Sequence, residues 1–177
     1  MIRIRPSTLE DHEGVKRLYL AAFSPLERES VADLAVKLLT EATTPPTFAM
    51  IAESRDELVG HIGFSPVTRY NDAGFVGYIL APLAVHPDHQ RRGIGAELIE
   101  SGMEFARFHG AAIVFVYGDP RYYGRFGFDA HSAVGYAPPY QLQYEYGWQA
   151  KRLADPVGIP SPGGLVCVRS LMTPGLW

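Results

Sequence analysis

The chain has 177 residues, 47% of them hydrophobic and 20% charged, with a formal net charge of −3. That length suits one domain with a proper core, and the slightly acidic balance argues against a broad electrostatic footprint for nucleic acid. The lone cysteine, Cys167, excludes an internal disulfide and a cysteine-based metal cluster and suits a reducing cytoplasm.

The opening MIRIRPSTLEDHE lacks the apolar core of a secretion signal. Within it IRIR alternates apolar and basic residues and predicts a first strand. Ser7 or Thr8 is placed to cap a helix over Glu10–Phe23, with acidic residues in its first turn. A second helix is predicted over Arg28–Glu41, with Val31, Leu34, Leu38 and Leu39 at helical spacing, until Pro45 and Pro46 exclude its continuation.

The period then changes to that of strands. FAMIAES, LVGHIGFSPVTRY and FVGYILAPLAV read as three successive strands joined by turns at RDE and NDAG, most simply an antiparallel meander. After HPDHQRRGIG a helix runs to about His109, with Ile94, Leu98, Gly102 and Phe105 on one face and Glu97, Glu100, Glu104 and Arg107 on the other. The continuous apolar run AAIVFVYG predicts a strand covered on both sides, so the helix before it is a right-handed crossover between parallel strands. DPRYYGRFGF predicts a short helix capped by Asp119, with Pro120 at its first position, and a strand starting at Gly127–Phe128. LVCVRSL reads as the final strand, and 131–164, rich in Pro, Tyr and Gly, yields no clear elements. No apolar run reaches the roughly 18 residues of a membrane span.

Residues 89–95, HQRRGIG, admit two readings. The glycines can simply make a tight turn and let the helix pack close to the sheet. They can also form an anion cradle. The first turn of a helix has N–H groups without intrahelical partners, and its dipole favours negative charge. Glycines keep side chains out of the way, and Arg91 and Arg92 add countercharge. A Walker A loop does not fit, because RRGIGA lacks both the glycine spacing and the Lys-Ser/Thr. Gly93-Ile94-Gly95 begins a dinucleotide fingerprint, with Asp119 roughly where a ribose-binding acid would lie. However, the third glycine position holds Leu98, and a meander precedes the loop.

Two motifs carry a resemblance. AVHPDHQRRGIGA fits the Q/R-x-x-G-x-G/A acyl-CoA loop that follows a strand ending V-x-P, and YGRFGF, Tyr123 to Phe128, fits Y-x-x-x-G-F after the next strand. With the order of elements, these resemble the GNAT superfamily of acyl-CoA-dependent N-acyltransferases, and most of all its bacterial predicted-acetyltransferase group with a YYxRFGF segment. The resemblance runs from the first strand to Phe128. It implies a GNAT-like α/β fold, with a mixed, mostly antiparallel central sheet flanked by helices, formed by 1–177 as a single N-acetyltransferase domain. It also implies acetyl-CoA as co-substrate, no metal, and direct attack by a primary amine in a ternary complex.

Position by position, the resemblance assigns the pyrophosphate of CoA to backbone N–H groups of Arg91, Arg92, Gly93, Ile94, Gly95 and Ala96, with the Gln90 side chain assisting. Leu83, Ala84 and Val85 would present strand backbone to the pantetheine arm, which pairs like an added strand. The N–H of Leu83 would polarise the thioester carbonyl. Tyr123 would protonate the departing thiolate, its ordinary pKa lying near 10 against about 8–9 for the thiol. Tyr122 reads as core, and Asp119, where relatives have an Asn contacting the donor, as a helix cap. The strand before the loop lacks the carboxylate that serves many relatives as base, since Ile79, Ala81 and Pro82 stand there. His61, sharing a strand face with Gly63 and Ser65, is the candidate base, and His86 is placed to cap the loop. Glu27 and Glu29 read as surface charges that could also select a cationic amine. GYAPPYQLQYEYGWQ could wall the acceptor cleft, pack as a loop or form a homodimer contact. The missing carboxylate also leaves open a noncatalytic acyl-CoA sensor or partner-binding module.

Overall fold

IRIR forms β1 (Ile2–Pro6), followed after a 3-10 turn by α1 (His12–Ala22) and α2 (Arg28–Thr40). The Asp11 carboxylate accepts hydrogen bonds from the Thr8 N–H and hydroxyl at the entry to α1. Arg5 clamps this entry to the sheet, reaching Asp11 at 2.8 Å and Glu53 at 2.6 Å, and holds the Asp11 pKa down at about 2. This structure is a computed structural model that describes residues 1–177, the side chain of Pro156 excepted.

The predicted meander forms as β2 (Phe48–Ser54), β3 (Glu57–Arg69) and β4 (Phe75–Val85), each antiparallel to the last, with β1 on the outer edge of β2. The crossover helix α3 (Ile94–Phe108) leads to β5 (Ile113–Tyr117), parallel to β4. The short α4 (Pro120–Tyr123) is capped by Asp119, which accepts from Arg121 N–H at 2.9 Å. Past β6 (Tyr136–Ala137), β7 (Trp148–Arg152) pairs with the far edge of β5, and β8 (Gly163–Val166) joins the end of β3. The main path is β1-β2-β3-β4-β5-β7, mixed and mostly antiparallel.

Three clusters pin the layers to the sheet. On one face Val15, Leu18 and Tyr19 of α1 and Ala32 and Ala35 of α2 bury against Ile51 and Ala84. Farther along that face, Ile79, Phe115 and Val67 pack beneath Trp148, Leu171 and Trp177. The other face belongs to α3, whose Ile94, Leu98, Ile99 and Met103 cover Ile62, Phe64, Tyr78 and Val114; full burial of one such side chain stabilises by about 2 kcal/mol. The predicted stripe of α2 is shifted, since its buried residues are Ala32, Ala35 and Leu38. Small residues let α2 sit close to its neighbours, and Val31, Leu34 and Leu39 flank the contact half-covered.

Two departures set the geometry of the site. Opposite Gly63 of β3, β4 runs through two residues, Ala81 and Pro82, because Ile62 pairs with Leu83 and Phe64 with Leu80. Such a bulge bends a strand and sharpens its twist. Gly63 is needed there, since a Cβ would lie 2.7 Å from the Ala81 carbonyl oxygen. Beyond the bulge β4 parts from β5: among the described residues their ladder holds at Tyr78/Val114 and Ile79/Phe115 and goes no further. On its other edge β5 pairs with β7 along its whole length, from Ile113/Arg152 to Tyr117/Trp148.

The C-terminal third corrects the sequence reading. No strand begins at Gly127–Phe128; Gly127 is left-handed, φ 82°, and only an isolated bridge, Asp129 to Ala150, follows. The final strand is Gly163–Val166, after which Arg169–Leu171 turns back over the core. WQAKR, unassigned in the sequence, is β7; its buried Gln149 stands where alternation would demand an apolar residue, its Nε2 donating to the Gly118 and Gly147 carbonyls at 3.2 and 3.3 Å and its Oε1 without a partner among the described residues. Among the described residues no helix is long and apolar enough to cross a membrane.

Candidate active site

The loop between β4 and α3 follows from its own sequence. The His86 ring accepts from Asp88 N–H at 3.3 Å and caps the turn Pro87–His89, while Gln90 Nε2 donates back to the Val85 carbonyl at 3.0 Å. Gln90 therefore fastens the loop to the end of β4. The chain then passes through two left-handed residues, Arg91 at φ 60° and Gly93 at φ 85°, and Gly93 is the N-cap of α3. Curled backbone of this kind makes concavities lined by N–H groups.

Among the described residues no carbonyl or side chain accepts from the N–H groups of Arg91, Arg92 or Gly93, and Glu97 is the first residue of α3 to bond back, to Gly93 O at 3.0 Å. Ile94, Gly95 and Ala96 occupy the first turn, where N–H groups have no intrahelical acceptor. A run of donors from Arg91 to Ala96 thus converges at the positive end of the α3 dipole.

Arg91 and Gly93 to Ala96 line one cavity of about 560 Å³ with Leu83, Ala84 and Val85 on its strand wall. Three residues given no donor-binding role by the sequence complete it, His89, Tyr122 and Arg125. Tyr122 packs on Tyr123 and Phe126, yet its hydroxyl reaches the first turn of α3, where a Cβ on Gly95 would meet it at 2.5 Å. The Arg125 guanidinium lies over the Tyr122 ring, 4.7 Å from its centre. Their i, i+3 spacing was the available signal, because it puts both on one side of a helical turn. The Arg92 side chain instead lies toward Met1, Ser54 and Glu57. The arginines lining this cavity are therefore Arg91 and Arg125, and Arg92 does not line it. The donors, the glycine cradle and the strand wall fit a bound diphosphate with an extended arm, as the CoA portion of acetyl-CoA requires.

Tyr123 ends α4, beside the end of β5. Its ring packs on Gly118 so closely that a Cβ there would lie 2.5 Å away, and it meets Phe128 edge-on at 5.9 Å. Burial raises its pKa well above that of a free phenol, so it holds its proton at neutral pH. Leu83 lies opposite Ile62 on its paired edge.

His61 is 1% exposed, its Nδ1 2.8 Å from the Tyr19 hydroxyl, and burial lowers its pKa to about 3. That makes it a weak base, although its Nε2 has no partner among the described residues and it lines, with Gly63, a cavity of about 210 Å³. Glu27 and Glu29 are exposed, with Glu27 receiving a hydrogen bond from Ser24. Part of the Pro- and Tyr-rich segment meets the end of β5. Tyr144 and Tyr146 join Tyr117, Gly118 and Trp177 around a second cavity of about 670 Å³. Tyr117 shares the sheet face of Phe115, so this cavity lies on the side opposite α3.

The Acetyltransferase (GNAT) family matches residues 12–128. The chain is similar to the uncharacterized N-acetyltransferase YjhQ of Escherichia coli K12, 38% identical over 117 residues, a stretch covering 65% of this chain and 65% of YjhQ, just under two thirds. It is also 32% identical over 136 residues to the uncharacterized N-acetyltransferase YhbS of that strain, covering 73% of this chain and 78% of YhbS. Among solved structures, Escherichia coli YhbS in complex with CoA superimposes with a TM-score of 0.81 at 25% identity, over 96% of this chain and 91% of that one. A Brucella melitensis GNAT family acetyltransferase in complex with acetyl-CoA gives 0.69 at 28% identity, over 96% and 97%.

Proposed function

The chain belongs to the GNAT acetyltransferase family, and from that premise we propose that it is an acetyl-CoA-dependent N-acetyltransferase acting on a primary amine by direct transfer in a ternary complex. The observation that carries the reading is the run of free N–H groups from Arg91 to Ala96, opening beside the gap where β4 leaves β5. Structures of two similar proteins in complex with CoA and acetyl-CoA support the same donor. We read residues 1–177 as one such domain, and a cytoplasmic setting as part of the proposal, supported by Cys167 being a buried free thiol.

On this reading acetyl-CoA, when bound, supplies an activated acyl carbon. Backbone N–H groups of Arg91 to Ala96 hold the diphosphate, with Arg91 and Arg125 as countercharges. Leu83, Ala84 and Val85 align the arm along β4, and the Leu83 N–H meets charge developing on the acyl oxygen. Tyr123 delivers a proton to the leaving sulfur. Burial makes the phenol a weaker acid, but a thiolate formed in the same apolar surroundings gains basicity for the same reason. His61, tied to Tyr19 under α1, acts as a positioning residue.

Calorimetric titration of the pure protein with acetyl-CoA, followed by thiol release with an amine panel, tests the proposal. Binding followed by amine-stimulated release is the expected result; no binding at millimolar acetyl-CoA overturns it. The absence of a carboxylate on β4 favours one second reading, a noncatalytic acyl-CoA sensor, for which binding without release is the signature.

A further inference from the structure

Building on the acetyltransferase reading, we infer that the acceptor is a weakly basic amine on a flat aromatic body, an arylamine or arylhydrazine, seated in the aromatic cavity at the end of β5. The first observation is the cavity. It has the volume for a ring system, about 670 Å³, and its walls are Tyr117, Tyr144, Tyr146 and Trp177. The Tyr117 and Trp177 rings are nearly parallel, 14° apart with centres 6.2 Å apart, and Tyr144 and Tyr146 also line the cavity, half or more exposed. The wall is built in place. Tyr144 N–H donates to the Tyr117 hydroxyl at 2.9 Å, and a Cβ on Gly147 would meet the Tyr117 ring at 2.8 Å. Offset stacking on such rings favours planar aromatic guests.

The second observation is charge. Aromatic walls also attract cations, but the charged residues lining this cavity are Asp119 and Arg121. The Asp119 carboxylate caps Arg121 N–H and takes the Arg121 guanidinium at 3.1 Å, so its charge is already matched. A polyamine or a protein lysine would find a paired carboxylate and an exposed guanidinium at the rim.

The third observation concerns the proton. The cavity is lined by Gly118, the residue on which the Tyr123 ring packs, so a guest there lies near that phenol. The near side of β4 offers Ile79, Ala81 and Pro82, none of which accepts a proton. His61 has Nδ1 tied to Tyr19 and Nε2 without a partner among the described residues, but burial makes it a weak base, and the Tyr117 hydroxyl already receives the Tyr144 N–H. An alkyl amine with a lysine-like pKa is only about one part in 10³ neutral at pH 7, whereas an arylamine arrives with its lone pair free. Its nitrogen forms the C–N bond as the C–S bond breaks. Tyr123 gives its proton to sulfur, and the proton shed by the acylated nitrogen restores the phenol.

The test uses the intact protein with acetyl-CoA and measures thiol release from 4-methoxyaniline, benzylamine, a dipeptide amide and spermidine between pH 6.5 and 8.5. 4-Methoxyaniline is expected to exceed benzylamine by about 100-fold in kcat/KM at pH 7, with a flat pH profile where benzylamine rises about tenfold per unit. Tyr144→Ala and Tyr146→Ala, both on exposed positions, are expected to raise the KM for 4-methoxyaniline about tenfold and leave the acetyl-CoA Kd unchanged. Faster release with benzylamine, dipeptide amide or spermidine overturns this assignment while the acetyltransferase reading stands. An unchanged KM in both variants overturns the cavity as the seat. Acetyl-CoA binding without release by any of the four overturns both readings.

Discussion

The two sides of the gap are built in opposite ways. On the α3 side one continuous stretch, 83–96, supplies the strand wall, the fastening Gln90 and the whole run of N–H donors. On the other side Tyr117, Tyr144, Tyr146 and Trp177 come from three separate segments and meet through side chains. A site made of backbone tolerates many sequences but needs glycine where the chain must curl or be approached closely, so it leaves a short motif. A site made of side chains from distant segments leaves none. That contrast explains why the donor side of the family is recognisable in 177 residues while the acceptor side has to be read from coordinates.

The contrast is sharpest at Tyr123, which stands between the two sides. Tyr123→Phe is expected to lower kcat about 100-fold with an unchanged acetyl-CoA Kd by calorimetry; unchanged turnover would remove it from the chemistry. Gly95→Val drives a side chain toward the Tyr122 hydroxyl and into the cradle. It should weaken acetyl-CoA binding about 30-fold, ~2 kcal/mol, and lower the unfolding midpoint of the free protein as well, since the packed Tyr122 has to give way.

His61 tests the wall beneath the two sides. Its folded pKa, about 3, lies below the ordinary 6.5, so protonation favours the unfolded chain. Its contribution is fully present above pH 6.5 and is lost as pH falls from there toward 3. Urea titrations at pH 7, 6 and 5 should show stability dropping by up to about 1.4 kcal/mol per pH unit, tenfold in the folding constant, with the slope flattened in His61→Leu. Equal slopes would contradict a buried, neutral imidazole. The smallest effect separates the two arginines of the loop. Arg91→Gln keeps the backbone preference and removes charge from the cavity, for about fivefold weaker acetyl-CoA binding, ~1 kcal/mol. Arg92→Gln, its side chain turned toward Ser54 and Glu57, should change affinity less than twofold; equal effects would erase the distinction.

What was legible in the sequence follows the same division. FAMIAES and FVGYILAPLAV match β2 and β4 residue for residue, and α3 ends within a residue of its expected limit, because period and turn residues agree with the packing. The expected donor residues meet around one cavity, apart from Arg92. Tyr122 was assigned to the core because it is both core and wall. β7 escaped notice because Gln149 and Lys151 find carbonyl partners, Gly118 and Phe126, that only the folded chain brings near. The aromatic wall was visible as composition, but its seating on Tyr117 depends on one long-range hydrogen bond and a glycine contact.

β5 is held on one side by five residue pairs and on the other by two. The ladder divides the sheet into two leaves, β1 to β4 and β5 with β7, joined by a short hinge of backbone pairs at Tyr78 and Ile79 and by the side chains packed across it. Their opening free energies need not be equal, and local unfolding can begin at the hinge without melting either leaf. A ligand whose amide groups bridge both leaves couples them, and its binding energy then appears as cooperativity of the whole sheet. Hydrogen exchange should register this as one protection class replacing two, spreading from residues 80–85 to 116–118 as acetyl-CoA is added.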